Sequence, residues 1–450
     1  MLKKIMKYVV TLIILTWFFI VSLTVVSSFP SSWIRENTKK SSETLMKEGN
    51  KKKYFSLSHF ETLEFDNYSD ALMINTAYSI DAKAPLYSIL VARKNYIPGV
   101  TKKIVEDFVG DLASNSNKYD KLDQVNELYD TVRGEAPESY EYARYWHGYM
   151  LFLRPLLILL DYWKIRVLLL AIFAVLAIRF LVLVEKEFGK LICIIFGIVL
   201  CEIDYFYIGL SLLNTPTTMI MIIFGIFLLK NFEKIRDFSY VFFLMGCFAN
   251  FFCLLDYPLI TYEMGIIIYL LYQSKKRNYE IQTKQDLIDI LKLGFFWILG
   301  YSVIWGMKWV FIDIIYHKHM VSLGLQQILY RSSNTIAWGK EIIHANPVLA
   351  ICINILFMGV PILINIALGV MLLYIKPNRN LLHRMRNTIP FLVVALIPIV
   401  WLGLFTNHSF QHSFFACRIL FSTLMFLLLL PGILTEKILK REDNSEKKTI

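Results

Sequence analysis

Tyr8-Val-Val-Thr-Leu-Ile-Ile-Leu-Thr-Trp-Phe-Phe-Ile-Val-Ser-Leu-Thr-Val-Val-Ser-Ser-Phe29 is a run of 22 residues without a charge, preceded by Met1-Leu-Lys-Lys-Ile-Met-Lys7. At about 1.5 Å of rise per residue, a helix of that length crosses a hydrocarbon layer of about 30 Å. The apolar core of a cleaved signal peptide is only about 7–15 residues, and no convincing small-residue cleavage site follows. The segment therefore reads as an uncleaved signal anchor.

The remaining sequence repeats the pattern. Of 450 residues, 56% are apolar or aromatic and 18% are charged, where a soluble enzyme would be nearer about a quarter charged. Further apolar runs occupy Val167–Val184, Leu191–Ile208, Thr217–Leu229, Phe238–Leu255, Leu259–Tyr272, Leu293–Ile312, Val348–Ile375, Ile389–Phe405 and Ile419–Leu434. The expected fold is an all-α polytopic membrane protein with about ten transmembrane helices. Two of the runs, Thr217–Leu229 and Leu259–Tyr272, are short enough to be half-spans or re-entrant hairpins.

Charge supplies an orientation. With a cytosolic N-terminus, the inner segments 1–7, 185–190, 230–237, 273–292, 376–388 and 435–450 hold 22 Lys and Arg against 11 Asp and Glu, which is the whole net charge of +11. That bias puts both termini in the cytosol and removes the only support for nucleic-acid binding. The chain divides into a cytosolic start and anchor (1–29), an outer loop domain (30–165), a polytopic domain (166–434) and a cytosolic tail (435–450). The six cysteines lie in or beside spans and imply neither an outer disulfide nor a CxxC metal motif.

The outer loop domain is balanced, with 18 basic and 19 acidic residues, and its pattern is mainly helical. Asp66 or Ser69 caps a helix through Asp70–Tyr78, Pro85 opens one through Leu86–Arg93, Thr101 caps Lys102–Leu112, and Leu122–Val132 follows. Asp66, Asp70 and Asn75 are candidates for acid–base work, because an attacking hydroxyl needs a carboxylate within reach of its proton. Spacing alone equally fits helix capping, the favoured reading for Asp66.

Three constellations carry candidate chemistry. The run Tyr140-Glu-Tyr-Ala-Arg-Tyr-Trp-His-Gly-Tyr-Met-Leu-Phe-Leu-Arg-Pro155, if helical, places Tyr140, Arg144, His147, Leu151 and Arg154 within an arc of about 80°. That face either clamps a phosphate or forms an interfacial aromatic belt. Carboxylates at membrane depth, Glu202 and Asp204 foremost and Asp256, Glu263 and Asp313 after them, are either functional or lie where the spans have already ended. Lys308 either pairs with one of them, binds phosphate or snorkels to the outer interface. In Asn407-His-Ser-Phe-Gln-His-Ser-Phe-Phe-Ala-Cys-Arg418, His408 and His412 share a helical face, but no HExxH motif accompanies them. Hydrogen bonding to a phosphate or sugar, with Asn407 and Arg418 beside them, is the better reading. Seven of the eight histidines fall outside by this topology.

A signal anchor, a large helical outer loop with acids, a juxtamembrane helix and then many spans resemble the GT-C membrane glycosyltransferases. The signatures Tyr142-Ala-Arg-Tyr-Trp-His-Gly148, Leu153-Arg-Pro-Leu-Leu157 and 407–418 are similar to a set of polytopic proteins from Gram-positive bacteria. The resemblance implies a plasma-membrane enzyme that transfers sugar from a polyprenyl phosphate to a cell-surface glycan acceptor at the outer face. It also implies a loop carboxylate as base, which cannot be carried over onto a particular residue. From the residues themselves Asp70 is the first choice and Asp204 the second, and Arg144, His147, Arg154, His408, His412, Arg418 and Lys308 are the candidates for the phosphate site. The pattern departs from better-known branches: Trp33-Ile-Arg-Glu-Asn37 stands where an Asp-Glu pair is usual, and Asp-x-Asp and His-Pro-Pro-Leu are missing. A divalent metal is not indicated. A transporter or flippase, or a polysaccharide polymerase or ligase, is the alternative.

Overall fold

The computed structural model describes residues 2–49, 51–53, 64–96, 124–136, 138–277, 281–338, 341–375 and 381–435. The expected helix at Lys102–Leu112 lies outside these residues. The described residues are mainly helical, with three short antiparallel ribbons, among them Arg93–Tyr96 with Glu138–Glu141 and Thr335–Trp338 with Glu341–His344.

Among the described residues, six helices are long and apolar enough to cross a bilayer, including Lys3–Ser27, Tyr162–Phe188 and the 34-residue Thr283–Tyr316. A seventh crossing is counted if Pro347–Phe357 and Gly359–Met371, bent by 71°, form one span. The chain is thus a multi-pass membrane protein, with six or seven helices of spanning length among the described residues against the expectation of about ten. Several apolar runs fold into shorter rods, such as Lys190–Glu202 with 13 residues and Phe238–Phe252 with 15.

The middle of the bundle is held by close backbone approach. The helices Phe238–Phe252 and Thr283–Tyr316 cross at Gly246 and Gly300, where an added Cβ would lie 2.1 Å from the Trp297 carbonyl oxygen and 2.0 Å from that of Phe243. Small residues at such crossings allow dispersion contacts along the whole interface, the main source of helix association in lipid.

In the hydrophilic stretch after the first long helix, expected to be the outer domain, the capping expectation for Asp66 holds. Its carboxylate accepts from the Ser69 N–H at 3.0 Å and opens the helix Asn67–Tyr78. Pro85–Val91 and Gln124–Arg133 form where the proline and the apolar spacing place them. Lys94 is buried and bonded to Gln124 and Glu127 of the last helix, which joins strand to helix with a compensated charge.

Candidate functional site

The aromatic run 140–155 is not one helix. Its start pairs as a strand, residues 142–149 are irregular, and the helix begins only at Met150. The local reason is that the run's N–H groups bond elsewhere: Tyr142 donates to the Val91 carbonyl at 2.9 Å and Gly148 to that of Phe251 at 3.0 Å. Gly148 is pressed so tightly there that a Cβ would sit 2.5 Å from the Phe251 oxygen.

The proposed phosphate face therefore separates. Arg154 is fully buried and donates to the carbonyls of Val26, Ala77 and Phe29, a staple between the first span and the outer domain. His147, in the left-handed region at φ 59°, is buried between the Tyr142 carbonyl at 2.8 Å and the Tyr149 hydroxyl at 3.2 Å. Burial first, and then the Lys308 charge, pushes its imidazole down to about 3, so it is neutral. Lys308 donates to the Tyr145 carbonyl and is buried, so it neither snorkels nor meets an acid. These three hold backbone in place and leave the expected anion site.

Asp70 also differs from expectation. Its carboxylate is fully buried, accepting from the Tyr162 hydroxyl, the Ser211 hydroxyl at 3.3 Å and the Leu212 and Leu213 N–H groups, each at 3.0 Å. With its lone pairs filled, it latches the outer domain to the loop after Ile208. Arg166 completes that latch through Glu48 at 2.9 and 3.0 Å, Asn67 at 2.7 Å and Tyr162 at 2.6 Å. Asn75 is buried and hydrogen-bonds Thr131 at 3.3 Å, which ties two outer helices together.

Arg144 behaves otherwise. It lines a cavity of about 360 Å³ with Arg331 of the helix Met320–Arg331. The walls are aromatic, including Trp297, Trp305, Trp309 and Trp401, and no Asp or Glu is among the described lining residues. The two guanidiniums are close enough for the Arg144 charge to act on Arg331. Arg331 also reaches Gln411 at 3.2 Å and His412 at 3.3 Å. At its side the cavity meets Ile298 and Leu404, which are 56% and 61% exposed on the apolar belt. The molecule thus offers two cations in the lining of an aromatic cavity whose wall also includes the exposed apolar side chains Ile298 and Leu404.

Behind the slot lies a second polar group. Asp256 is buried, held by the Thr217 hydroxyl at 2.6 Å, and its own carbonyl meets His408 Nε2 at 3.2 Å. Arg418 pairs with Asp204 at 3.2 Å, while Glu202 accepts from Asn365 at 2.9 Å. Asn407 donates to the Thr335 carbonyl at 2.6 Å. The rings of His408 and His412 are 4.9 Å apart, as their spacing predicts, and the described residues contain no group of three or more metal-ligating side chains. Asp313 caps the helix Met320–Arg331 through the Met320 and Val321 N–H groups and is structural.

Sequence reasoning missed Arg331, which stands in the segment 316–347 with no motif around it. Comparison with protein-family models, curated proteins and solved structures finds no match for the chain.

Proposed function

We propose that the protein is a glycosyltransferase of GT-C type in a bacterial plasma membrane, with both termini cytosolic and about ten membrane passages when the shorter apolar helices are included. It takes sugar from a polyprenyl phosphate at the outer face and transfers it to a cell-surface glycan. One observation carries this reading: Arg144 and Arg331 stand together in the lining of an aromatic cavity whose wall also includes the exposed Ile298 and Leu404. An isoprenoid chain fits the apolar slot, and its phosphate fits paired guanidiniums, whose forks donate parallel hydrogen bonds. Fixed cations in a water-poor site stabilise the charge that develops on the departing lipid phosphate.

The test uses the cavity's own tryptophans. Undecaprenyl phosphate added to the purified protein is expected to quench their fluorescence, with Arg331→Gln weakening binding about tenfold or more, the equivalent of about 1.4 kcal/mol. Undecaprenol, which lacks the phosphate, should bind at least as poorly to wild type. Equal binding of alcohol and phosphate would overturn the reading.

A transporter of the same lipid is the second reading, favoured by the 71° break between Pro347–Phe357 and Gly359–Met371, since broken helices line many transport sites. Movement of a fluorescent polyprenyl phosphate across protein-containing vesicles, without sugar transfer, would select it.

A further inference from the structure

The polar layer behind the arginines contains buried hydrogen-bond acceptors that no donor fills. Asp256 follows Leu255, which lines the lipid cavity and is itself in the left-handed region at φ 64°. Asp256 is 3% exposed, yet among the described residues Thr217 is the one side chain that hydrogen-bonds its carboxylate, and the N–H groups of its own turn supply the rest. Asp70, equally buried, has four donors, two of them side-chain hydroxyls.

Around Asp256, the side-chain oxygens of Asn214 and Asn250 and Nδ1 of His408 are buried with no hydrogen-bond partner. They belong to one neighbourhood: the Tyr257 hydroxyl donates to the Asn214 carbonyl at 3.2 Å, Tyr301 contacts Asn250, and His408 Nε2 meets the Asp256 carbonyl. Because Nε2 carries the proton toward that carbonyl, Nδ1 is left as an acceptor. Buried acceptors without donors are costly, and natural proteins retain them where a ligand or water completes them.

The complementary ligand donates several hydrogen bonds. An anion is repelled by the carboxylate and the bare acceptors. A cation meets the charges of Arg418, which acts on Asp256, and Arg331, which acts on His408. An uncharged polyhydroxyl group is the ligand class whose hydrogen-bonding complements these acceptors. The field of Asp256 also reaches Tyr145 and Tyr301, both in the cavity wall, so the layer adjoins the place where the lipid phosphate is expected.

We infer that this layer receives the hydroxyl-bearing acceptor sugar, with the Asp256 carboxylate taking the proton of the attacking hydroxyl and Asn214, Asn250 and His408 holding neighbouring hydroxyls. The inference rests on the transferase reading and names its base and acceptor subsite. The hydroxyl O–H bond breaks toward an Asp256 oxygen while the hydroxyl oxygen forms a bond to the anomeric carbon. The bond from that carbon to the phosphate oxygen breaks, and its electron pair leaves on the lipid phosphate between Arg144 and Arg331. Asp256 then releases the proton to solvent. Burial raises the Asp256 carboxyl to about 7, opposed by Thr217, the local N–H groups and Arg418, which suits a base working near neutral pH. Tyr257, Cys253, Tyr301, Tyr145 and His408 are the other titratable groups that face it.

The experiment follows release of undecaprenyl phosphate from a panel of undecaprenyl-phosphate hexoses, in membrane vesicles of the native cell, which contain the acceptor. Asp256→Asn is expected to lower turnover by about a hundredfold or more, the usual contribution of a positioned base, while binding undecaprenyl phosphate within about twofold of wild type. Asn214→Ala and Asn250→Ala should raise the KM for acceptor more than they lower kcat. Asp256→Glu, which keeps the carboxylate, should recover part of the turnover, and thermal melting checks that each variant folds. Turnover of Asp256→Asn within about threefold of wild type overturns the inference alone, as does loss of lipid-phosphate binding together with turnover. Wild-type protein that binds no undecaprenyl phosphate, or releases none from any hexose, overturns the transferase reading and the inference with it.

Discussion

At the scale of single residues, two buried aspartates show how environment assigns a role. Asp70 stands in the more suggestive sequence, in a loop with a helix-capping neighbour, but four donors fill it. Asp256, which the sequence offered only as an acid near the outer end of a span, is left underfilled beside the cavity. Spacing could place the Asp66 cap because capping is local; it could not show how many donors from distant helices converge on a carboxylate. His147 gives a prediction at this scale. Its folded-state value of about 3 lies below the unfolded value of about 6.5, so its contribution is complete above pH 6.5 and is lost as pH falls toward 3. Between pH 7.5 and 5.5 the loss is about 1.4 kcal/mol. His147→Gln should therefore show a smaller drop in melting temperature over that interval than wild type; equal drops would refute the neutral, buried assignment.

At the scale of elements, the apolar runs were legible and their geometry was not. Hydropathy reports that a segment prefers lipid, whereas length, bend and pairing depend on neighbours. Thr283–Tyr316 starts well before the expected Leu293–Ile312 because Lys284, Gln285, Leu287, Leu291 and Lys292 are good helix formers, while Val348–Ile375 breaks at Met358 into two rods. The 140–155 run misled for a related reason: its periodicity is helical on paper, but residues 142–149 find better partners in Val91 and Phe251. The Gly246 and Gly300 crossing offers a direct check. Gly300→Ala places a methyl 2.0 Å from the Phe243 oxygen and should destabilise by about 1–3 kcal/mol or more, seen as a lower melting temperature in detergent. Gly306 lies on the same helix with open space around it, so Gly306→Ala should be neutral or slightly stabilising. Similar losses in both variants would argue against the close crossing.

For the whole molecule, the outer domain and the bundle are joined by buried charge. Arg166, at the start of a span, grips Glu48 and Asn67 of the outer domain and the Leu210 carbonyl of the bundle, with Tyr162 relaying to Asp70. Removing one member of a buried pair leaves the other charge stranded, typically at about 3–5 kcal/mol. Arg166→Met should lower the melting temperature and open the outer domain to protease, and Glu48→Gln added to it should restore part of the loss. An unchanged digestion pattern would mean that the domains are held by other contacts. The sequence divides the chain into an anchor, a hydrophilic stretch and a polytopic part because composition changes sharply at those boundaries. It could not show that residues expected to bind a ligand are the ones that lock these parts together.

The Arg154 staple bears on the order in which the protein is built. The carbonyls of Val26 and Phe29, at the exit of the first span, are closed by a side chain separated from them by 128 and 125 positions. During synthesis at about 5–20 residues per second, that end stays open for several seconds. Throughout that interval the outer domain hangs from a single anchor. Translation past residue 154 supplies both the closing guanidinium and the next crossing, so the emergence of one short segment ends the interval in which this domain is exposed to misfolding and proteolysis.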